Sequence, residues 1–127
     1  MDTQRNGRSL VTIVDDDESV RESLPDLLRE VGYAAEAFAS AEAFLDGGDL
    51  VRTRCLILDI AMPGMSGPEL RQELQRRGQA IPVVFITATR DEALRPRLLE
   101  QGAVECLFKP FSETALLDAI SSAVQAA

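Results

Sequence analysis

The sequence predicts an α/β domain in which a five-stranded parallel sheet is covered by helices on both faces. Apolar runs and amphipathic segments alternate along the 127 residues in the order βαβαβαβαβα. The strand candidates are apolar throughout, which is typical of parallel strands that are buried on both faces. Hydrophobic residues make up 46% of the chain and charged residues 27%. A chain of this length and composition is expected to bury one core as a single domain.

Each predicted element has a local signature. The strand candidates are short apolar runs at 10–14, 33–38, 55–60, 81–86 and 104–108. The helix candidates have apolar residues at helical spacing, a polar cap or a glycine stop, at 20–31, 40–45, 66–77, 91–101 and 112–124. Ser66 and Glu69 have the spacing of a capping box, and Ser112 is placed to cap the last helix.

Two prolines disturb the helical pattern. Pro25 falls inside the first predicted helix and Pro96 inside the fourth. Each proline removes an amide donor and crowds the carbonyl group four residues earlier. Either the helices kink at these points, or the fourth helix begins late with Pro96 in its first turn. The weak periodicity of 90–95 favours the late start.

The composition excludes several functions. The balance of 13 basic and 21 acidic residues gives a net charge of −8, which argues against a surface for nucleic acid or anionic membranes. The chain has no histidine, so catalysis by Ser-His-Asp or Cys-His, zinc bound by histidine and a phosphohistidine carrier are excluded. No apolar stretch approaches the roughly 20 residues of a membrane span.

The cysteines and the N-terminus indicate a cytoplasmic protein. Cys55 and Cys106 each lie in an apolar run and form no CxxC pair, so both are expected to be reduced, buried thiols. Residues 1–8 are predicted to be a polar N-terminal tail without the apolar segment of a signal peptide, and the domain is predicted to occupy 9–127.

Polar side chains follow four of the five strands. The first strand is followed by Asp15-Asp16-Asp17-Glu18, the third ends at Asp59, the fourth at Thr87 and the fifth at Lys109. Taken singly, each has an ordinary structural explanation, such as a helix cap or a turn residue, and this explanation is favoured for Asp17 and Glu18. The carboxyl ends of parallel strands meet at one edge of a sheet, however. Clustered carboxylates repel one another, so together they indicate a divalent cation, with an anion near Lys109.

The residues at these strand ends resemble the response-regulator receiver domain of bacterial two-component signalling. The resemblance is carried by Val14-Asp15-Asp16, by the segment DIAMPGMSG at 59–67, by Ile86-Thr87-Ala88 and by Phe108-Lys109-Pro110-Phe111. It extends from about Ser9 to the C-terminus. The phenylalanine after Lys-Pro and the AEAFL stretch at 41–45 are most similar to the nitrogen-fixation-type branch.

The resemblance implies a fold, a reaction and partners. The fold is a flavodoxin-like, doubly wound three-layer sandwich with strand order 2-1-3-4-5. Asp59 is the phosphoryl acceptor, and the donor is a phosphohistidine of a sensor histidine kinase or phosphotransfer protein. The ligands of Mg²⁺ are Asp16, Asp59, the carbonyl of Ala61 and Asp15, the last partly through a metal-bound water. The output partner is not identified, and a phosphorylation-dependent dimer is left open.

Further roles follow from the same resemblance. Lys109 pairs with one phosphoryl oxygen, Thr87 donates a hydrogen bond to another, and Pro110 follows a cis peptide bond. The resemblance implies that Asp59, Lys109 and Thr87 assist phosphorylation and dephosphorylation of the chain itself. The chain is therefore expected to be a signalling receiver and not an enzyme. The chain departs from the family at Cys106, where receivers usually carry an aromatic ring that moves together with the threonine. We expect the Thr87–Cys106 switch to be altered, with Phe108 as a partial substitute.

Two other functions remain as alternatives. The motif Asp15-x-Asp17-x-Ser19 is similar to the first motif of haloacid-dehalogenase-type phosphatases, in which the first aspartate is the nucleophile. That interpretation leaves Asp59 unexplained and lacks a later acidic motif. An FMN-binding flavodoxin-like module is the other alternative, although consecutive carboxylates would repel a phosphate there. Within the receiver interpretation, the chain is either a single-domain regulator or a receiver excised from a longer one.

Overall fold

The computed structural model describes residues 8–126 and contains one five-stranded parallel sheet in the order β2-β1-β3-β4-β5. The strands are β1 (Leu10–Val14), β2 (Ala34–Phe38), β3 (Thr53–Asp59), β4 (Val83–Thr87) and β5 (Glu105–Phe108). The predicted fold class and strand order are therefore confirmed. Residues 1–7 and 127 lie outside the described part, so the predicted tail at 1–8 and the domain boundaries stay predictions.

Five helices cover the two faces of the sheet. They are α1 (Glu18–Glu30), α2 (Ala41–Gly47), α3 (Gly67–Arg76), α4 (Leu94–Glu100) and α5 (Glu113–Ala126). Helices α1 and α5 bury one core cluster with Val11 and Ile13 of β1. Helices α2, α3 and α4 bury a second cluster with Leu56 and Leu58 of β3. Among the described residues, every helix is too short or too polar to cross a bilayer.

The helices begin where the sequence places their caps. The side chain of Asp17 accepts a hydrogen bond from the amide of Ser19, at 2.9 Å, and so caps α1. Ser66 and Glu69 form the predicted reciprocal capping box at the start of α3. The amide of Ala115 donates to Oγ of Ser112 at 3.0 Å, as expected for the cap of α5. These contacts satisfy amide groups that the first turn of a helix leaves without partners.

The two prolines have different outcomes. Helix α1 continues through Pro25, which is buried, and it starts two residues earlier than the predicted 20–31. The fourth helix begins only at Leu94, so the start at 91 was wrong and the late-start alternative is confirmed. Pro96 is the third residue of α4, where a helix does not use its amide hydrogens. The preceding turn is instead closed by Asp91, whose side chain accepts from the amide of Ala93 at 3.0 Å.

Both cysteines are free and buried, as predicted. Burial raises the pKa of the Cys55 thiol to about 12, so this group is a neutral component of the core.

Candidate functional site

The polar residues at the strand ends meet at the carboxyl edge of the sheet. Strands β1, β3, β4 and β5 are consecutive neighbours, and their pairing aligns Val14 with Leu58 and Asp59 with Ile86. One carboxylate oxygen from each of Asp15, Asp16 and Asp59 lies within 4.8 Å of the other two. The structure thus brings together the three predicted acidic ligands.

Asp15 is the most completely enclosed member of this acidic cluster. Its side chain is buried, and both of its oxygens have partners. Oδ2 accepts from Nζ of Lys109 at 2.9 Å, while Oδ1 accepts from the amide of Asp17, also at 2.9 Å. The carbonyl group of Asp15 accepts from the guanidinium of Arg21 at 3.0 Å. Asp15 is therefore held in place by contacts from the residue that follows β5, from the N-cap of α1 and from within α1.

Burial and the neighbouring charges disfavour ionisation of Asp59. Its surface is 6% exposed. Burial, followed by the negative charge of Asp15, raises the pKa of Asp59 to about 7, although the positive charge of Lys109 works in the opposite direction. Burial also acts to lower the pKa of Lys109, but the hydrogen bond and charge of Asp15 outweigh it and raise that pKa. The protein alone thus carries an excess of negative charge here, which a bound cation would relieve.

Thr87 links the ends of β4 and β5. Its side chain is buried, and Oγ1 accepts from the amide of Thr89 at 3.0 Å. Because Oγ1 acts as acceptor in that contact, its own hydrogen remains available for donation. The carbonyl group of Thr87 accepts from the amide of Lys109 at 2.8 Å, and the peptide bond between Lys109 and Pro110 is cis. These contacts fix where the Lys109 side chain leaves the sheet.

The segment 60–66 joins β3 to α3, and we call it the β3–α3 loop. The amide of Ile60 donates to the carbonyl of Ile86 at 3.1 Å, and the amide of Gly67 closes the loop by donating to the carbonyl of Ile60 at 2.9 Å. A Cβ atom on Gly67 would lie 2.4 Å from the carbonyl oxygen of Asp59, so only glycine fits this approach. Ala61, the predicted carbonyl ligand, is exposed in this loop.

Sequence reasoning assigned no supporting role to Arg21 or Gly67. Arg21 carries no pattern that distinguishes it from an ordinary exposed residue of an amphipathic helix. Gly67 stands in the recognised motif, but its close approach to the backbone of Asp59 depends on where α3 packs.

Cys106 lies away from solvent, on the face of β5 that is covered by α4. It aligns with Phe85 and belongs to the same core cluster as Leu98 and Ala103. Phe108 aligns with Thr87 and is only half-buried. It lines a cavity of about 250 Å³ together with Arg90 and Glu92. The role of Cys106 and Thr87 as a switch stays a prediction.

The acidic cluster suits Mg²⁺. Its donors are carboxylate oxygens from three side chains, and the exposed Ala61 can add a backbone carbonyl. Small hard divalent cations prefer oxygen ligands, and Mg²⁺ in particular is bound by few carboxylates together with water. Soft metals that require thiolate or imidazole ligands do not fit this donor set.

Comparison with known proteins agrees with this geometry. Residues 11–121 match the response regulator receiver domain family. The chain is 40% identical over 119 residues to the response regulator protein TodT of Pseudomonas putida, covering 94% of this chain and 52% of TodT. It is also 40% identical over 114 residues to the transcriptional regulatory protein FixJ of Azorhizobium caulinodans, covering 90% of this chain and 54% of FixJ.

The solved structure of the response regulator StyR is similar in fold and sequence. The two superpose with a TM-score of 0.85 at 48% identity, over 92% of this chain and 59% of the StyR chain. The chain spans about half the length of the curated relatives it matches. The sequence motifs, the fold and these matches lead to one conclusion: the chain belongs to the response regulator receiver domain family.

Proposed function

We propose that the chain is a phosphoacceptor of two-component signalling, and that Asp59 takes the phosphoryl group. The donor is a phosphohistidine of a sensor histidine kinase or phosphotransfer protein. The observation that carries the proposal is the approach of three carboxylate oxygens, from Asp15, Asp16 and Asp59, to within 4.8 Å of one another beside Lys109. Such an arrangement is suited to holding a cation next to an incoming phosphoryl group.

The contacts of the two buried aspartates favour Asp59 over Asp15 as the nucleophile. Both oxygens of Asp15 already accept hydrogen bonds, and its surface is 0% exposed against 6% for Asp59. Asp17 and Ser19, which would complete a phosphatase motif with Asp15, are engaged in capping α1. A nucleophile needs an unoccupied oxygen that the substrate can reach. Asp15 is thus better suited to binding a cation and the ammonium group of Lys109 than to attacking phosphorus.

The proposed reaction is a single displacement at phosphorus. An oxygen of the Asp59 carboxylate attacks the phosphorus, the P–O bond forms as the P–N bond of the phosphohistidine breaks, and the leaving imidazole takes a proton from water. The product is an acyl phosphate on Asp59. The chain itself is changed and releases no separate product, so we describe it as a signalling receiver that assists its own phosphorylation and dephosphorylation, and not as an enzyme.

Mg²⁺ would be held by Asp15, Asp16, Asp59 and the carbonyl group of Ala61. When bound, it supplies positive charge that neutralises the phosphoryl oxygens and favours the ionised, nucleophilic form of Asp59. This contribution matters here because the pKa of Asp59 is raised to about 7, so the carboxyl group of the protein alone is partly protonated at neutral pH.

Lys109 and Thr87 would bind the transferred group. The ammonium group of Lys109 is already at the site, 2.9 Å from Asp15, and can donate to a phosphoryl oxygen. The hydroxyl hydrogen of Thr87 can be donated to another oxygen, and Ala88 is small enough to leave room beside it. The net charge of −8 disfavours direct contact with nucleic acid or anionic membranes. The domain is therefore proposed to act through contacts with an output protein, in the cytoplasm.

Mass spectrometry of three Asp→Asn variants tests the acceptor. With Mg²⁺ and acetyl phosphate, the wild-type chain should gain the mass of one phosphoryl group, which hydroxylamine removes. D59N should gain none. D17N is the matched control, because asparagine caps a helix as well as aspartate does, and it should be labelled like the wild type. Labelling of D59N at the wild-type rate, or loss of labelling in D15N with the label mapped to residue 15 in the wild type, would refute the proposal.

A further inference from the structure

The β3–α3 loop is tied to a helix on the same side of the sheet by one carboxylate. Oε2 of Glu42, in the first turn of α2, accepts a hydrogen bond from the amide of Met65 at 3.1 Å. The two residues are 23 positions apart in the chain. The loop that carries the proposed carbonyl ligand therefore has a support that comes from outside the acidic cluster.

The turn inside the loop is shaped for this contact. Gly64 has a φ of +77°, a backbone conformation that residues other than glycine rarely adopt. A Cβ atom at this position would lie 2.8 Å from Oε2 of Glu42, the same atom that binds Met65. Glycine at 64 thus allows both the turn and the approach of the carboxylate, which lies directly against this part of the loop.

Few other contacts hold the middle of the loop. Its ends are fixed by the hydrogen bonds of Ile60 and Gly67, and the side chain of Met62 is buried in the core. Within residues 8–126, Met65 is the one residue from 61 to 65 whose amide has a hydrogen-bond acceptor in the protein. Without Glu42, the backbone between the buried Met62 side chain and the capped start of α3 would have no such restraint.

We propose that Glu42 is a positioning residue for the metal-binding loop: by holding the amide of Met65, it fixes the loop backbone and raises the affinity of the site for Mg²⁺ without contacting the ion. The inference rests on the proposed function, because it assigns Glu42 a role at the same site. A hydrogen bond typically stabilises a folded arrangement by about 0.5–1.5 kcal/mol, which corresponds to roughly a 2- to 12-fold change in affinity.

The effect of the hydrogen bond can be separated from the effect of charge. Glutamine keeps an acceptor oxygen at the same distance along the side chain and removes the negative charge, whereas alanine removes both. E42Q should therefore behave like the wild type if positioning is the cause. Glu113 provides the matched control, because it is another exposed glutamate in the first turn of a helix.

The test is an NMR titration with MgCl₂ of the wild type, E42A, E42Q and E113A, since the chain has no tryptophan to report binding by fluorescence. We expect E42A to raise the Kd by roughly 2- to 12-fold, with E42Q and E113A close to the wild type. Before Mg²⁺ is added, the amide signals of residues 61, 62, 64 and 65 should shift in E42A and stay in place in E113A.

Two results would overturn the inference alone: a Kd of E42A equal to that of the wild type, or a Kd of E42Q raised as much as that of E42A. A wild-type chain that binds no Mg²⁺ would overturn the proposed function together with it.

Discussion

Helices α3 and α4 follow neighbouring strands of the sheet but are anchored very differently. Helix α3 has ten residues, a reciprocal capping box and two buried leucines, Leu70 and Leu74. Helix α4 has seven residues, one buried leucine, Leu98, and no side-chain hydrogen bond at its N-cap, Ala93. Capping and burial each contribute about 1 kcal/mol or more, so α3 is much the better fixed.

This difference in anchoring is relevant to the acidic site, because the two helices follow strands that contribute different residues to it. Helix α3 follows the strand that ends at Asp59, and its first residue, Gly67, packs against the backbone of that aspartate. Helix α4 follows the strand that ends at Thr87, and it is joined to β5 by the ion pair between Arg95 and Glu105. The acceptor is thus built against a helix with a side-chain cap and two buried leucines, whereas the helix beyond Thr87 has one buried leucine and no side-chain cap. We expect a signal that starts at Asp59 to move α4 and leave α3 in place.

The largest effect is expected from a substitution that disrupts the α3 side. In G67A, the new Cβ would lie 2.4 Å from the carbonyl oxygen of Asp59 and 3.1 Å from Cα of Ile60. Both contacts are with backbone, so the strand or the helix must shift, and we expect the free energy of unfolding to fall by about 2–3 kcal/mol. Urea denaturation measures this change.

G78A is the control for G67A. Unlike Gly67, Gly78 has a positive φ, of +77°, and a Cβ atom there meets nothing within 4 Å. The cost is limited to the backbone conformation, about 1–2 kcal/mol. An unfolding free energy for G67A no lower than that for G78A would show that the close approach to Asp59 does not hold α3 in place.

A smaller effect is expected at the ion pair on the α4 side. Nε and Nη2 of Arg95 donate to the two carboxylate oxygens of Glu105 at 2.8 and 3.0 Å, and Oε1 of Glu105 also accepts from the amide of Cys106. The pair is partly exposed, so solvent screens it and its coupling free energy should be about 0.5 kcal/mol. R95A should accelerate amide hydrogen exchange in α4 about twofold without affecting α3.

R77A is the control for the ion pair, since it removes an ion pair between the C-cap residue of α3 and Glu73 of the same helix. Its effect on exchange should be confined to α3. If R95A changes exchange in α3 as much as in α4, or if a double-mutant cycle of R95A and E105A gives no coupling, this ion pair is not what joins α4 to the sheet.

The sequence predicted α3 more accurately than α4. The start of α3 and its capping box follow from four consecutive residues, Ser66 to Glu69. The acidic residues follow strands whose carboxyl ends must meet at one edge of a parallel sheet. The predicted range 91–101 is longer than α4, because the segment from Asp91 has too little periodicity to show where the helix begins. A proline in the first turn indicates that a helix starts nearby but does not identify its first residue. The contact of Glu42 joins residues 23 positions apart, and that of Arg21 runs to a backbone carbonyl group, so no local pattern signals either of them.

We expect Cys106 to affect how strongly α4 responds to changes at the acidic site. It is buried in the same core cluster as Leu98 of α4, at a position where receivers usually carry an aromatic ring. A small side chain transmits less displacement between Thr87 and α4, so the coupling free energy between the site and α4, and with it the population shift, should be small. We expect a phosphoryl group to order the segment after Thr87 and to shift α4 only modestly.

The most direct measurement is the set of amide chemical-shift changes caused by beryllofluoride, a phosphoryl mimic, in the presence of Mg²⁺. We predict changes at Asp59, in the β3–α3 loop and in the segment after Thr87. Changes through α4 should be smaller and should increase in C106Y, and the body of α3 should change little. D59N should show none of them. Shifts in α3 as large as those in α4, or a response that persists in D59N, would contradict the account.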